Sequence, residues 1–153
     1  MAAGGWGGHS VHRLSPPAIR VHGNRALAER PLAIEFRITI GDTEADLTSY
    51  ARSQYRAQLA DGSWRIARIT TIYERDTLMP SLPGTRLDID AQDLADYRPS
   101  HRCLAWYLSR RGLKLRPDLP GDDQPEAVAR QYEAEAASLA GPHKPCAGDF
   151  TDT

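Results

Sequence analysis

A long β-hairpin is the feature that most constrains this sequence. Two runs rich in β-branched and aromatic residues, 46–59 and 64–77, flank the dipeptide Asp61-Gly62. Asp-Gly tolerates the positive φ angles of a type I′ turn, so it is a strong local signal for a hairpin. A two-residue turn fixes the register and predicts these opposed pairs: Leu59–Trp64, Ala57–Ile66, Tyr55–Arg68, Ser53–Thr70 and Ala51–Ile72.

The alternation of side chains along a strand gives this hairpin two different faces. One face is apolar near the turn, where Trp64 and Ile66 are predicted to belong to the core. The other face is polar and aromatic, which suits solvent or a contact between subunits. It carries these residues: Thr48, Tyr50, Arg52, Gln54, Arg56, Arg65, Ala67, Ile69, Thr71 and Tyr73.

Two further strands are predicted upstream of the hairpin. Residues 25–40 alternate cleanly between apolar and other side chains, which indicates a long strand. Residues 11–22 indicate a first strand, and Pro16 and Pro17 place it at a sheet edge or give it a bulge, because proline has no N–H to donate. The first half of the chain is therefore predicted to be a four-stranded antiparallel meander.

The second half of the chain is predicted to be helical, which makes the fold class α+β. Pro80, Pro83 and Gly84 mark a loop, and Asp123 with Glu126 predicts a capping box at a helix start. Residues 91–98 are predicted to form a short helical segment, and a second helix is predicted to begin at Pro99, to carry Cys103, Leu104, Tyr107 and Leu108 on one apolar stripe and to stop at Gly112. The third helix, capped at Asp123, is predicted to end at Gly141. The predicted organisation is a disordered segment 1–10, an antiparallel sheet 11–80, a helical C-terminal extension 81–141 and a flexible tail 142–153.

Composition limits the classes of function. The chain has 153 residues and a formal net charge of -1, so it has no basic surplus for nucleic acid or an anionic membrane. No apolar run approaches the ~20 residues of a membrane span, and the first residues lack the pattern of a signal peptide. Cys103 and Cys146 are far apart without CxxC spacing, which predicts free thiols and a cytoplasmic location.

Neither a metal nor a cofactor is predicted. His9 and His12 form a His-x-x-His pair, but no third ligand accompanies them. The sequence also contains no GxGxxG, P-loop, GxSxG or HExxH motif, so it offers no nucleotide-cofactor or hydrolase signature.

Several segments, in this order and spacing, resemble the SnoaL-like family of the nuclear transport factor 2-like superfamily. The resemblance covers residues 9–80 and rests on these runs: His12-Arg-Leu-Ser-Pro-Pro-x-Ile-x-Val-x-Gly-Asn-Arg-Ala26, Asp46-Leu-x-Ser-Tyr-x-Arg52, Asp61-Gly-x-Trp-Arg-Ile66 and Tyr73-Glu-Arg-Asp-Thr-x-x-Pro80. It implies a cone-like fold, in which a curved antiparallel sheet packs against helices around a pocket. Family members include polyketide cyclases, dehydratases and isomerases as well as non-catalytic binding proteins.

The resemblance implies cofactor-free proton transfer on a hydrophobic carbonyl compound, with His12 as general base or acid. Glu35 would be its carboxylate partner, because the turn at Gly23-Asn24 places Glu35 opposite His12 if no bulge intervenes. A register shift of one residue, caused by Pro16, Pro17 or Pro31, would turn the two side chains apart. The alternative is that His12 and Glu35 are ordinary exposed strand residues.

A small hydrophobic ligand is the predicted partner. Five residues are candidates for lining a pocket for a polar, ring-shaped ligand, because aromatic rings give apolar contact and arginine gives directed donors. They are Tyr50, Arg52, Tyr55, Arg68 and Tyr73. The alternative reading is cross-strand packing and a dimer face, and a homodimer through the polar-aromatic face is predicted. The alternative function is a non-catalytic ligand-binding or dimerisation module, or an inactive fragment of the family.

The sequence departs from the family in one respect. Family members have two or three helices before the region of His12, and only eleven residues precede it here. Truncation is the favoured interpretation; a missed upstream start, or C-terminal helices that cover the sheet instead, are the others. A sheet with an uncovered apolar face would expose a large patch and favour association.

Overall fold

The computed structural model describes residues 10–141, which form an α+β fold. An open five-stranded antiparallel sheet is followed by three helices, so the predicted class and the C-terminal helices are confirmed. The elements are β1 (Ser10–Leu14), β2 (Ala18–His22), β3 (Arg25–Ile40), β4 (Thr43–Ala60), β5 (Ser63–Pro80), α1 (Ala91–Ala95), α2 (Arg102–Arg110) and α3 (Pro125–Ala140).

The sheet has five strands instead of four because the predicted first strand is divided. Residues 15–17 separate β1 from β2, and both short strands pair with the long β3. Two consecutive prolines cannot donate to a ladder, so the pairing stops there and resumes beyond them. The order β1-β3-β4-β5, with β2 beside β3, places the three longest strands next to one another.

The turn between β4 and β5 has the predicted geometry. Asp61 has φ 51° and Gly62 has φ 73°, and a type I′ turn needs both of these angles to be positive. Next to the turn, Leu59 pairs with Trp64 and Ala57 pairs with Ile66, as predicted.

Beyond these two pairs, β5 contains two bulges that change the predicted pairing. Arg56 pairs with Arg68, which leaves Ala67 as an extra residue, and a second shift leaves Glu74 extra. A bulge puts two residues of one strand opposite one of the other. The predicted pairs Tyr55–Arg68, Ser53–Thr70 and Ala51–Ile72 are therefore wrong, and the structure has Tyr55–Ile69, Ser53–Thr71 and Ala51–Tyr73.

Directly opposed residues share a face, so the register defines two faces of the sheet. We call the face that carries Ile38, Leu47, Ala57 and Ile66 the apolar face. The face that carries Arg37, Arg52, Gln54 and Arg56 is the polar face.

Helix α2 covers one end of the apolar face. Ile38, Ala45 and Leu47 of the sheet form a buried cluster with Cys103 and Leu104 of the helix, and Tyr107 and Leu108 pack against this cluster. The apolar stripe predicted from the helical spacing of these four α2 residues is confirmed.

Helix α3 lies against the polar face. Arg56 donates to Glu135, and Arg52 donates to the hydroxyl of Tyr132 at 2.9 Å. The middle of the face predicted to form the dimer is thus occupied by a helix of the same chain. The capping box predicted for α3 is wrong, because Gln124 is the N-cap and has no side-chain capping bond.

The other end of the apolar face, near the β2–β3 and β4–β5 turns, is uncovered by described residues. Trp64 is 47% exposed and Ile66 is 61% exposed, so their predicted place in the core is wrong. The alternation of apolar residues there is real, but α2 packs at the opposite end of the strands.

Three findings bear on the remaining structural predictions. The described helices include none that is both long and apolar enough to cross a membrane. Residues 10–141 contain no group of three His, Cys, Asp or Glu side chains placed to hold a metal ion. The predictions for the first nine residues with His9, and for 142–153 with Cys146, lie outside the described residues.

Candidate functional site

The uncovered end of the apolar face forms an open trough of about 390 Å³. This volume falls within the range of small-molecule sites, about 300–1,000 Å³. Strands β2 to β5 all contribute to it, because the turns bring their ends together. The lining residues are Pro17, Ile19, Val21, Ala26, Ala28, Arg30, Tyr55, Ala57, Trp64 and Ile66.

Arg30 supplies the charged side chain of this lining. Its Nε and Nη2 atoms donate to the hydroxyl of Tyr55 at 3.3 and 3.2 Å. Its guanidinium carbon also lies 5.0 Å from the centre of the Tyr55 ring, which is within range of a cation–π contact. The surface of the trough itself is almost entirely apolar, and the polar atoms of this pair lie at its edge.

The structure separates the predicted catalytic residues His12 and Glu35. His12 pairs with Ile34, on the apolar face, and Glu35 pairs with Val11, on the polar face. There the carboxylate accepts hydrogen bonds from Nε of Arg13 at 2.9 and 2.8 Å. The predicted opposition of His12 and Glu35 is wrong.

A bulge beside the prolines causes this separation. Leu14 pairs with Leu32 and Ala18 pairs with Glu29, so the three residues 15–17 lie opposite the two residues 30–31. The extra residue moves β1 by one position relative to β3, and a one-residue shift exchanges the two faces. Without it, the register of β2 would continue and His12 would oppose Glu35.

Arg52, a predicted ligand residue, is already occupied by contacts within the protein. Its guanidinium donates to Asp122 at 2.8 and 3.1 Å and to Glu74 and Tyr132, both at 2.9 Å. Hydrogen bonding to Asp122, and then to Tyr132 and Glu74, raises the pKa of Arg52 above its ordinary value despite partial burial. This arginine joins β4 to β5, to the loop before α3 and to α3 itself.

The other predicted ligand residues do not come together. Arg75 lies over the ring of Tyr50 at 4.4 Å, and Arg68 pairs with Arg56 on the polar face. Tyr73 lies on the apolar face, packed at a 5.0 Å ring distance against His101. Of the five candidates, Tyr55 is the one that lines the trough.

A second group of titratable side chains lies where α2 meets β5. Asp76 accepts a hydrogen bond from the backbone N–H of Leu104 at 2.8 Å, so it caps the first turn of the helix from the sheet. His101, 4% exposed, is hydrogen-bonded through Nδ1 to the hydroxyl of Ser100. Burial raises the pKa of Asp76, while burial and then Arg98 lower the pKa of His101.

Burial, assisted by the charge of Asp76, raises the pKa of Cys103 to about 12. A thiol with such a pKa is not a nucleophile near neutral pH, because the thiolate is the reactive form. The groups in this second cluster hold α2 onto the sheet, and their burial and mutual contacts indicate a structural role.

Sequence reasoning missed Arg30, Ile19 and Val21 as members of a site. The alternation of Ile19 and Val21 with Arg20 and His22 in β2 could have assigned the two apolar side chains to one face. Arg30 falls in the same alternating set of β3 as Leu32 and Ile34, so the period-two pattern could also have placed this cation on the apolar face.

Comparison with known proteins gives relatives in fungi. No family model matches the chain. The Pea pathogenicity protein 2 of Fusarium vanettenii is 30% identical over 118 residues, which are 75% of this chain and 51% of that protein. An uncharacterized protein of Aspergillus terreus is 31% identical over 128 residues, which are 74% of this chain and 47% of that protein. An uncharacterized protein of Emericella nidulans is 28% identical over 109 residues, which are 67% of this chain and 46% of that protein.

The chain thus spans about half the length of the curated relatives it matches.

Proposed function

We propose that this chain is a SnoaL-like small-molecule domain that binds a hydrophobic compound on the apolar face of its sheet. The observation that carries the proposal is the trough of about 390 Å³ at the uncovered end of that face. The sequence runs that resemble the family support the same function, since they imply a pocket against a curved antiparallel sheet.

The exposed side chains of the trough supply the driving force. Ile19, Val21 and Ile66 are each 61% exposed, and Trp64 is 47% exposed. Burying an apolar side chain of this size contributes about 1.5–3 kcal/mol when it passes from fully exposed to fully buried. A ligand that covers these four residues therefore gains several favourable contacts at once.

The polar residues around the sheet favour this trough over the polar face as the binding surface. On the polar face, Arg52 and Arg56 are held by carboxylates and by α3. A ligand there would have to displace ion pairs, whereas the trough presents apolar surface that water solvates poorly.

Proton transfer by His12 remains a prediction from the resemblance. His12 lies on the apolar face but outside the trough lining, and Glu35 is turned to the other face. A His12→Ala variant, assayed for turnover of a ketone or alcohol substrate, tests it: turnover that survives unchanged excludes a catalytic role. The homodimer likewise remains a prediction, which size-exclusion chromatography with light scattering would refute if it showed only monomer at micromolar concentration.

A fluorescent titration tests ligand binding directly. We expect the neutral probe N-phenyl-1-naphthylamine to bind the wild-type protein with a blue-shifted, enhanced emission. Ile66→Asp should weaken binding more than about tenfold, because the carboxylate would have to lose water inside the trough. Met79→Asp is the matched control, since Met79 is also 61% exposed and lies on β5 but on the polar face.

Two results would contradict the proposal. One is the absence of probe binding to a wild-type protein whose circular dichroism shows a folded sheet. The other is an equal loss of binding in Ile66→Asp and Met79→Asp, which would locate the probe elsewhere.

A further inference from the structure

We propose that the ligand of the trough is an amphipathic acid, whose carboxylate is bound by Arg30 and the hydroxyl of Tyr55. This inference rests on the proposed function, because it names the chemical class of the compound that the same trough would bind. The ligand would lie with its head toward the middle of the sheet and its tail toward the turns.

The charge of Arg30 is the first argument. Among the other partly buried arginines, Arg52, Arg56 and Arg98 each form an ion pair with a carboxylate at 2.7–2.9 Å, and Arg25 donates to the backbone carbonyl of Ser138. Arg30 has no such carboxylate partner among residues 10–141, and the hydrogen-bond acceptor that it contacts there is the neutral hydroxyl of Tyr55. A cation beside apolar surface without an anion is complementary to an anionic group.

The geometry of the pair is the second argument. Nε and one terminal nitrogen of Arg30 donate to Tyr55, so a carboxylate would be bound at the other edge of the planar group, which carries the two terminal nitrogens. The ring of Tyr55 lies 5.0 Å from the guanidinium carbon and limits the positions that this side chain can adopt. The binding group is therefore partly organised before the ligand arrives, which lowers the entropy cost of binding.

The position of Arg30 along β3 gives the ligand a direction. Ala28 and then Ala26 lie on the same face of β3 between Arg30 and the turn. Ile66 of β5 is level with Ala26 across β4, and Trp64 lies nearer the turn. Four residues of a strand span about 13 Å, so an acyl chain of medium length would extend from Arg30 to the hairpin end. The two alanines leave room for that chain along the floor of the trough.

The same charge argues against a second copy of this chain as the occupant. A symmetric contact between two troughs would bring the two Arg30 side chains into one apolar interface. Like charges placed together without counterions oppose association. An acid, in contrast, neutralises the cation and covers the apolar residues in a single molecule.

Calorimetry with a matched pair of ligands tests the inference. Decanoate and decanol, both below the concentration at which decanoate forms micelles, differ in the head group alone. We expect wild-type protein to bind decanoate at least about tenfold more tightly than decanol, because a hydrogen bond to a charged group usually contributes that much. Arg30→Met should remove this preference, Arg30→Lys should retain part of it, and Tyr55→Phe should reduce it.

The control variant is Arg65→Met, because Arg65 is an exposed arginine of the same hairpin on the polar face. It should preserve the full preference for decanoate. Decanol also serves as the folding control, since its affinity should be the same in wild type and Arg30→Met. Sedimentation velocity on each protein reports the oligomeric state with and without ligand.

The outcomes separate the two proposals. If wild type binds decanol and decanoate equally, or if Arg30→Met and Arg65→Met behave alike, the acid-binding inference is overturned while ligand binding in the trough stands. If neither compound binds, and Ile66→Asp converts a dimer into a monomer, a second copy covers the trough and both proposals fail.

Discussion

Replacing Arg56 by methionine should destabilise the protein strongly, because it would leave a buried carboxylate without its cation. The side chain of Glu135 is 2% exposed, and its oxygens receive hydrogen bonds from Arg56 at 2.9 and 3.0 Å. Gln131 provides a third donor at 2.9 Å. Removing one member of a buried ion pair costs about 3–5 kcal/mol, and since Gln131 remains we expect about 3 kcal/mol.

Urea unfolding followed by far-ultraviolet circular dichroism measures this change in the free energy of unfolding. For a chain of this length, about 3 kcal/mol corresponds to a melting temperature lower by about 6–12 °C. Glu135→Gln should cost less, about 1–2 kcal/mol, because Arg56 is 30% exposed and water can solvate its charge. The double variant Arg56→Met/Glu135→Leu should recover most of the stability, since it removes both charges.

The reasoning would be refuted if Arg56→Met were no less stable than Arg65→Met, which changes an exposed arginine at the same end of the sheet. It would also be refuted if the double variant were less stable than Arg56→Met. Either result would mean that α3 does not bury Glu135 against β4.

Two further predictions concern the region where α2 and the loop before α3 meet β5. His101 has a lowered pKa in the folded protein, so the unfolded chain takes up the proton first and stability should fall as the pH drops below about 6.5. His101→Gln should flatten this decrease, and equal slopes in unfolding experiments between about pH 7.5 and pH 5.5 would exclude His101 as its source. Gly121→Ala should cost about 1–3 kcal/mol, because its Cβ would collide with Ser100 Oγ and lie 2.7 Å from Asp123 Oδ1. Thermal unfolding of Gly121→Ala alone and combined with Ser100→Ala checks this, since the smaller residue should restore part of the loss.

The strands and turns of this protein follow from local patterns in its sequence. The period-two alternation of β3, the Asp-Gly turn and the apolar stripe of α2 each depend on residues close together in the chain. Asp61 and Gly62 adopt the positive φ angles that an Asp-Gly turn predicts, and Cys103 and Leu104 lie in the core as the helical spacing indicates. Such features are predictable because they need no knowledge of tertiary packing.

The faces on which side chains lie were less predictable, because each bulge exchanges them. The extra residue at the bend of residues 15–17 separates His12 from Glu35, and the extra Ala67 moves Tyr73 from the predicted polar-aromatic face to the apolar face. The prolines suggested the first of these register shifts, whereas no proline or glycine next to Ala67 indicates a bulge there.

The exposure of Trp64 and Ile66 has a different cause. Their apolar character predicts burial, but burial depends on where the helices pack, and α2 covers the opposite end of the sheet. The site in the trough could not be predicted for the same reason, since it consists of surface that the helices leave open.

Each of the two extra residues of β5 shifts the register of the strand by one position relative to β4. The first shift exchanges the faces of the residues that follow it, and the second shift restores them. Deleting Ala67 would remove the first bulge but leave Arg68 opposite Arg56, so residues 68–73 would keep their faces and Tyr73 its contact with His101. Deleting Glu74 would likewise leave Arg75 opposite Tyr50 and keep Leu78 at the core, whereas deleting a paired residue between the two bulges would exchange the faces of its neighbours. Relatives that differ in length within this strand should therefore gain or lose residues at these two positions, and an alignment that puts a gap elsewhere would assign side chains to the wrong face.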